Sequence, residues 1–248
     1  MLKSTRAVTL IEMTVVLAIG MILASIIAPV GLRLYENTSL AISANNIRQL
    51  SIGAQSYLAD NRFVYWKYVG WTPKGTVWWF GLEPPESRAA GEGKRFFKPN
   101  EGPLAGYIPA ALRPDPSFSF TGKTFKPKFQ SGYLGVGYNV HLGGGWMGAD
   151  CKNFWELKNP SKTVVFATSA QVNTFQRPAS RSNPMIEEFY GIDSQNLTVH
   201  FRHRGKAMVG FADGSSGFLP LDPSTLDPRA PEAKVGRFAP VGSLKYLQ

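Results

Sequence analysis

The chain has 248 residues, of which 44% are hydrophobic, and a formal net charge of +10 at pH 7, so it is long enough for one domain with a substantial core beside a membrane segment. A single cysteine, Cys151, excludes an intrachain disulfide, and three histidines leave few ligands for a zinc site. The basic residues are scattered rather than grouped in runs, so the charge gives only slight support for a nucleic acid or an anionic surface as partner.

The first element in chain order is an apolar run at residues 8–30. Its 23 residues contain one charged side chain, Glu12, and as a helix they would be about 35 Å long, which is enough to cross a bilayer. Lys3 and Arg6 precede the run, whereas only Arg33 follows closely, and this asymmetry predicts a cytoplasmic N-terminus.

Two interpretations of the run need no special role for the carboxylate. A cleaved secretory signal also begins with basic residues, but its apolar core is usually about 7–15 residues long, and no clear mature start follows Ala28. A plain uncleaved anchor is the second. Because a charge within a bilayer-spanning helix costs about 2.5–3.5 kcal/mol, Glu12 is nevertheless a candidate functional residue.

The residues before and around Glu12 resemble a known family. Residues 7–12 read AVTLIE, and with the apolar run they resemble the N-terminal signal of type IV prepilins and type II secretion pseudopilins. The resemblance implies that a prepilin peptidase cleaves between Ala7 and Val8, that the new Val8 amine is methylated, and that the helix is retained. Ala7 stands where the family usually has Gly, and Val8 where Phe is commoner. Pro29 stands where many pilins have a helix-kinking proline.

Glu12 therefore has two interpretations. The resemblance implies that its carboxylate pairs with the Val8 amine, one helical turn away, and helps an incoming subunit to dock on one already in a filament. The alternative is that Glu12 simply lies in the first turn of the helix, where the helix dipole favours a carboxylate. We expect the assembly role, because Thr9, Leu10 and Ile11 precede Glu12 as they do in the family.

Beyond Pro29 a helical pattern continues to about Asp60. Apolar residues recur at steps of three and four, which predicts an amphipathic helix with one face packed on a globular domain: Leu40, Ala44, Ile47, Leu50, Ala54, Tyr57 and Leu58. A helix from Val8 to Asp60 would be about 80 Å long, with a kink near Pro29.

The remaining sequence is typical of a turn-rich β domain, since the chain has 25 Gly, 18 Pro and 16 Phe. We expect loops and two or three short strands at residues 62–127. Four tryptophans there, Trp66, Trp71, Trp78 and Trp79, are candidates for stacking on a sugar or a base, although clustered aromatic residues more often form a core.

The C-terminal third predicts a buried strand at residues 163–167 and then a β-meander. Its strands are expected at 198–203, at 207–212 and from Gly217, joined by turns at Arg204–Gly205 and 213–216. From Asp222 the prolines and the lack of periodicity predict a loose extension or a strap on the surface.

The meander carries a second resemblance. His203, nine intervening residues and Asp213-Gly214 resemble the His-x9-Asp-Gly signature of a large prepilin-like family, and the segments at 137–144 and 160–167 resemble other parts of it. The matching residues are Arg202, His203, Gly205, Ala207, Val209, Phe211, Ala212, Asp213 and Gly214. This resemblance implies association with prepilin processing without making the protein an enzyme.

A catalytic or metal-binding role for His203 and Asp213 is testable by geometry. If Arg204–Gly205 is a two-residue turn, Asp213 lies about 23 Å along the strand from His203, and the two side chains do not touch. We expect His203 and Arg202 to fix the first turn, and Asp213 and Gly214 to close the second. Asp213 is also a candidate Ca²⁺ ligand, although such a site needs about six oxygens.

These patterns together predict an α+β, pilin-like fold in which a long N-terminal helix, membrane-spanning in its first half, packs on a C-terminal antiparallel β-sheet head. The expected division is a leader at 1–7, a transmembrane helix at 8–30, its amphipathic continuation at 31–60, a head at 61–221 and a Pro-rich extension at 222–248. Because the sequence has no hydrolase, zinc-protease or phosphate-loop motif, we expect no enzymatic activity and no cofactor.

The expected function is that of a structural subunit of a type II secretion pseudopilus or a type IV pilus-like filament. Its expected partners are the prepilin peptidase, other pilin-like subunits and the assembly platform of the inner membrane, with the head in the periplasm. The alternative is a membrane-anchored or pilus-tip module that binds DNA or an anionic glycan. That alternative rests on the tryptophans and on the positive charge. The net charge is +10 for the full chain and +8 once a leader that contains Lys3 and Arg6 is removed.

Overall fold

The protein is α+β, with a long N-terminal helix and several β-sheets. A computed structural model describes residues 9–108, 112, 114–118, 122–130 and 134–238. The chain divides into two compact units, Met1–Leu40 and Ala41–Gln248. Helix α1 (Leu10–Asp60) contributes to both units.

In the first unit, α1 presents an apolar surface to its surroundings. The stretch Leu10–Ala28 has 19 residues and a mean hydropathy of 2.5, and none of it is buried, so it is long and apolar enough to cross a membrane. The helix is continuous through Pro29, and the kink expected there stays a prediction. The leader at 1–7 and the expected helix start at Val8 lie outside the described residues.

In the second unit, the rest of α1 is amphipathic, as its apolar repeat predicts. The buried positions are Ile47, Leu50, Ala54 and Leu58, and Ala44 and Tyr57 are partly buried against the same core. The helix ends at Asp60 in a left-handed cap, because the Phe63 N–H donates to the Leu58 carbonyl (2.8 Å) and Arg62 has a φ of +55°. Where α1 passes strand residue Gly210, a Cβ on that glycine would collide with Ser51, so helix and strand approach very closely.

The tryptophan-rich segment forms a small antiparallel sheet. Its strands are β1 (Val69–Thr72), β2 (Gly75–Trp78) and β3 (Gly81–Glu83), in that order. The expectation of two or three short strands in this region is therefore confirmed. A short helix, α2 (Pro85–Ala89), follows.

The main sheet has the strand order β11-β10-β5-β4-β8. Its members are β4 (Val136–Asn139), β5 (Val164–Thr168), β8 (Gly191–Ile192), β10 (Lys206–Phe211) and β11 (Ser216–Pro220). Strands β5, β10 and β11 form within one residue of their predicted positions. The predicted antiparallel sheet is wrong at one pair, because β4 and β8 are parallel. Parallel partners need a long crossover connection, and no local sequence pattern indicates such a pairing.

Two short ladders complete the second unit: β6 (Gln171–Asn173) pairs with β7 (Met185–Glu187), and β9 (Val199–His200) pairs with β12 (Val235–Gly236). The predicted meander is therefore wrong in its first strand, because β9 pairs with β12 and not with β10. Strand β10 already has β5 and β11 as neighbours, so neither of its edges is open to β9. Short 3-10 helices lie at Pro99–Glu101, Phe154–Glu156, Pro160–Lys162, Pro223–Thr225 and Pro231–Ala233.

The C-terminal segment is packed on the second unit through β12. Val235 is fully buried and Phe238 is buried. The segment up to residue 238 is therefore a strap rather than a loose extension, because its apolar side chains close a small core over β9.

The largest core joins α1 to the main sheet through aromatic side chains. Trp66 stacks on Tyr138 with ring centroids 4.8 Å apart, and Trp79 is fully buried. Two of the four candidate stacking rings are thus core residues. Trp78 is partly buried, whereas Trp71 has 59% of its surface exposed.

Candidate functional site

At the start of α1, Thr9 and Glu12 form a capping box. Glu12 Oε2 accepts hydrogen bonds from the Thr9 N–H (2.7 Å) and the Thr9 hydroxyl (2.9 Å), and the Glu12 N–H donates to Thr9 Oγ1 (3.2 Å). This reciprocal pattern satisfies two N–H groups that a helix end otherwise leaves without partners. The sequence indicated Glu12 but not Thr9 as its partner. The predicted cleavage and methylation sites, Ala7 and Val8, lie outside the described residues.

The turn after His203 has the predicted backbone. The His203 N–H donates to the Lys206 carbonyl (3.1 Å), and the Lys206 N–H donates to the His203 carbonyl (3.0 Å). Arg204 and Gly205 have φ angles of +53° and +75°. Two central residues with positive φ are typical of the two-residue hairpin turn whose twist matches that of its strands.

The side chains beside this turn contact a buried carboxylate that the sequence analysis missed. Asp115 Oδ2 accepts a hydrogen bond from Arg202 Nε (2.7 Å) and lies 3.5 Å from His203 Nε2. The same carboxylate accepts hydrogen bonds from the Ser43 hydroxyl on α1 and from the Ser117 hydroxyl (2.6 Å). Beside their expected role at the turn, Arg202 and His203 therefore also join three distant parts of the chain, which the sequence did not predict.

The cluster is almost excluded from solvent, and its charges depend on one another. The side chains of Asp115, Arg202 and His203 are 1%, 3% and 3% exposed. Burial favours the protonated acid, but the Arg202 guanidinium and the hydrogen bonds from His203 and Ser117 hold the pKa of Asp115 well below its usual range. Burial lowers the pKa of Arg202, and Asp115 opposes that shift.

Arg202 has further partners that fix its guanidinium. Its Nη2 donates to the Gly135 carbonyl (2.9 Å), and its Cζ lies 5.1 Å from the centre of the Phe118 ring, within the range of a cation–π contact. Its Nη1 lies 3.2 Å from His200 Nδ1. Burial and the neighbouring guanidinium lower the pKa of His200 well below its usual range, so His200 is neutral.

Ser43, His203 and Asp115 do not form a catalytic triad, although the residue types match one. His203 Nε2 lies 2.9 Å from Ser43 Oγ, and because the Ser43 hydroxyl gives its proton to Asp115, this His203 nitrogen must be the donor. A triad requires the opposite arrangement, in which the histidine accepts the serine proton and the carboxylate contacts the other ring nitrogen. The three residues are also buried. The arrangement is suited to holding α1 against the segment that carries the Arg204–Gly205 turn and not to nucleophilic attack.

Asp213 and Gly214 form the second predicted turn. Asp213 Oδ1 accepts hydrogen bonds from the Ser215 N–H (2.9 Å) and hydroxyl (2.6 Å), and Gly214 has a φ of +87°. His203 and Asp213 thus belong to separate neighbourhoods, as the hairpin geometry predicts. Within the described ranges, no group of three or more His, Cys, Asp or Glu side chains is placed to hold a metal ion. Calcium binding at Asp213 stays a prediction.

A second buried ionic network also escaped the sequence analysis. The Lys126 side chain is fully buried, and its Nζ lies 2.8 Å from Glu92 Oε2 and 3.6 Å from Glu187 Oε2. Arg95 pairs with the fully buried Glu83 of β3 at 2.7 Å. Charged side chains are rarely buried without such partners. Lys126 therefore connects its own segment to Glu92 and to β7, and Arg95 connects its segment to β3.

Comparison with known proteins gives no independent assignment. No protein-family model, curated protein or solved structure matches the chain. The likeness to prepilins therefore rests on residues 7–12 with the apolar run that follows them, and on the segments at 137–144, 160–167 and 202–214.

Proposed function

We propose that this protein is a pilin-like structural subunit of a type II secretion pseudopilus or a type IV pilus-like filament. A prepilin peptidase cleaves it between Ala7 and Val8, and Val8 is methylated. The helix anchors it in the inner (cytoplasmic) membrane, with the N-terminus inside and the head in the periplasm. Other pilin-like subunits and the inner-membrane assembly platform are its partners.

One observation carries this proposal. The exposed apolar helix Leu10–Ala28 begins directly after the residues that resemble a prepilin signal, and its one carboxylate lies in the first turn. A filament subunit of this kind needs an apolar helix that leaves the bilayer to pack against copies of itself. The amphipathic part of α1, which forms the core of an α+β unit, supports the same assignment.

The first test is the N-terminus of the mature protein, determined by intact-mass and peptide mass spectrometry on protein from its native membrane. The proposal predicts a chain that starts at methylated Val8. A start at Met1 would make the protein a plain anchor, and a start after Ala28 would make it a secreted protein. Either result would refute the proposal.

The capping box allows a second test that separates the two roles of Glu12. Gln also serves at this position of a capping box, so Glu12→Gln keeps the helix start and removes the charge. Thr9→Ala keeps the charge and removes the cap, at a cost of about 0.5–2 kcal/mol. The proposal predicts that mature Glu12→Gln protein stays in the membrane fraction, whereas mature Thr9→Ala protein enters sheared filaments near the wild-type level.

Mass spectrometry of both variants controls for cleavage, because Thr9 and Glu12 lie close to the processing site. Normal filament entry by mature Glu12→Gln, together with loss of entry by mature Thr9→Ala, would show that the carboxylate serves only the helix start. That result would remove the assembly role from Glu12.

A binding module, on a membrane anchor or at a pilus tip, is the second candidate function. One observation favours it, namely the exposed Trp71 beside a groove in the second unit. The two functions are compatible, since a filament subunit can also carry a ligand site.

A further inference from the structure

A groove lies in the second unit between the end of α1, strands β1 and β2 and a glycine-containing loop. Its volume is about 490 Å³, and its lining includes Tyr57, Trp66, Lys67, Trp71, Thr72 and Gly148. This volume is within the range of about 300–1,000 Å³ that is usual for small-ligand sites. The groove does not involve the buried cluster around Asp115.

Trp71 is the unusual side chain of this groove. It lies on β1 opposite Thr76, and 59% of its surface is exposed. The neighbouring Trp66 and Trp79 are buried in the core. An indole left on the surface beside a concave site offers a flat apolar face, and tryptophan is enriched among the residues that dominate binding.

Lys67 gives the groove a positive charge. The side chain is exposed, and its Cδ would lie 3.8 Å from a Cβ built on Gly148, so it runs along the glycine loop. Gly148 itself has a φ of +65°, and a Cβ there would collide with the Val69 carbonyl, so only glycine permits this close wall. None of the described residues that line the groove is acidic. The site therefore complements a negatively charged ligand.

A buried donor lies under the same surface. Trp66 Nε1 has no acceptor among the described residues, whereas Trp79 Nε1 donates to the Tyr190 carbonyl (2.6 Å) and Trp146 Nε1 to Asp193 (2.8 Å). Leaving such a donor without a partner costs about 1–3 kcal/mol. The nitrogen is not solvent-accessible in this conformation, so it adds no direct contact to a ligand in the groove. An exposed donor that the groove offers to ligand oxygens is the Lys67 ammonium.

We propose that this groove binds an anionic polysaccharide, with the C–H face of one sugar ring stacked on Trp71 and a carboxylate of the polymer beside Lys67. A sugar ring combines an apolar face with a rim of acceptor oxygens, which is the combination that the groove requires. Single-stranded nucleic acid is bound instead along a basic path with successive stacking rings, and this groove offers one exposed indole.

The test uses the full chain in detergent micelles and measures binding to immobilised polygalacturonate, dextran and poly(dT) over a range of salt concentrations. The expected result is binding to polygalacturonate that weakens as salt increases, with little retention on dextran or poly(dT). Trp71→Ala should weaken the binding at least tenfold. Lys67→Gln should weaken it and also reduce its dependence on salt.

A matched control variant makes the result specific. Trp155→Ala is the matched control, because Trp155 is 71% exposed and does not line the groove, so this variant should bind like the wild type. Circular dichroism of each variant confirms that it is folded.

The proposal is overturned by any of three results: no retention of the wild type on polygalacturonate, equal losses in Trp71→Ala and Trp155→Ala, or tighter binding to poly(dT) or dextran than to polygalacturonate. The outcome is independent of the mature N-terminus. A negative result in the binding assay leaves the filament proposal standing. An unprocessed N-terminus would refute the filament proposal and leave the groove as a site on an anchored protein.

Discussion

Replacing Asp115 by asparagine removes one charge from the buried cluster and keeps the shape of the side chain. Arg202 then remains a cation with a 3% exposed side chain. Its nearby partners are then the neutral Gly135 carbonyl and His200, the Phe118 ring, and the Glu188 carboxylate, which acts on it more weakly than Asp115. Loss of one member of a buried ion pair costs about 3–5 kcal/mol, because the other charge stays buried without compensation.

This cost is large beside the total stability of a domain, which is about 5–15 kcal/mol. For a domain of about 200 residues, each kcal/mol changes Tm by about 2–4 °C, so we expect Asp115→Asn to lower Tm by about 6–20 °C. Adding Arg202→Met removes the stranded charge, and the double variant should regain part of the loss.

Thermal unfolding of the full chain in detergent, followed by circular dichroism, measures the effect. Glu101→Gln is the matched control, because it breaks an ion pair with Lys98 whose side chains are 42% and 53% exposed. Exposed pairs are worth about 0–1 kcal/mol. On the same conversion from free energy to Tm, a Tm shift below about 3 °C for Asp115→Asn would refute the reasoning, as would an equal Tm shift for Glu101→Gln.

Three other predictions concern stability. Burial and the neighbouring Arg202 guanidinium hold the pKa of His200 well below that of an unfolded histidine, so below about pH 6.5 the unfolded chain binds a proton that the folded chain does not. The free energy of unfolding should therefore fall by up to about 1.4 kcal/mol per pH unit as the pH drops below that range, and His200→Gln should remove this part of the slope. Identical slopes in the two proteins would contradict the prediction. Gly144→Ala and Gly145→Ala both place a residue with a side chain at a positive φ, but only at Gly144 does the new Cβ collide with the Ala149 carbonyl. Gly144→Ala should therefore lower Tm more than Gly145→Ala does. A larger Tm loss in Gly145→Ala would contradict this geometry. In chemical unfolding, Trp79→Ala should lower the free energy of unfolding by about 3–5 kcal/mol, because Trp79 is fully buried, whereas Trp155→Ala should lower it by at most about 1 kcal/mol, because Trp155 is exposed. Similar losses in the two variants would contradict this difference in burial.

The features that the sequence predicted correctly are determined by neighbouring residues. The end of α1 at Asp60 follows from an apolar repeat, and the turn at Arg204–Gly205 follows from Gly205, which readily adopts positive φ, directly before the apolar strand β10. The turn at Asp213 has the same local origin, since its carboxylate bonds the residue two positions later.

The features that the sequence did not predict depend on residues far apart in the chain. Asp115 is 87 residues from Arg202, and Ser43 is 160 residues from His203, so no periodicity or motif connects them. The parallel pairing of β8 depends in the same way on a distant partner. Lys126 was not recognised because a lysine is expected on the surface unless its partners are known.

The hydrogen bonds of Ser43 bear on how the second unit would respond to a pull along α1. Apolar side chains such as Ile47 and Leu50 tolerate small displacements, but a slip of one residue moves a helix by about 1.5 Å and turns it by about 100°. That motion would break both hydrogen bonds of Ser43 and move other side chains of α1 onto Gly210, where only a close approach of Ser51 and Ile47 fits. The packing of α1 on the main sheet is therefore specific to one register, and a pull along the helix has to break polar contacts before the helix can slide.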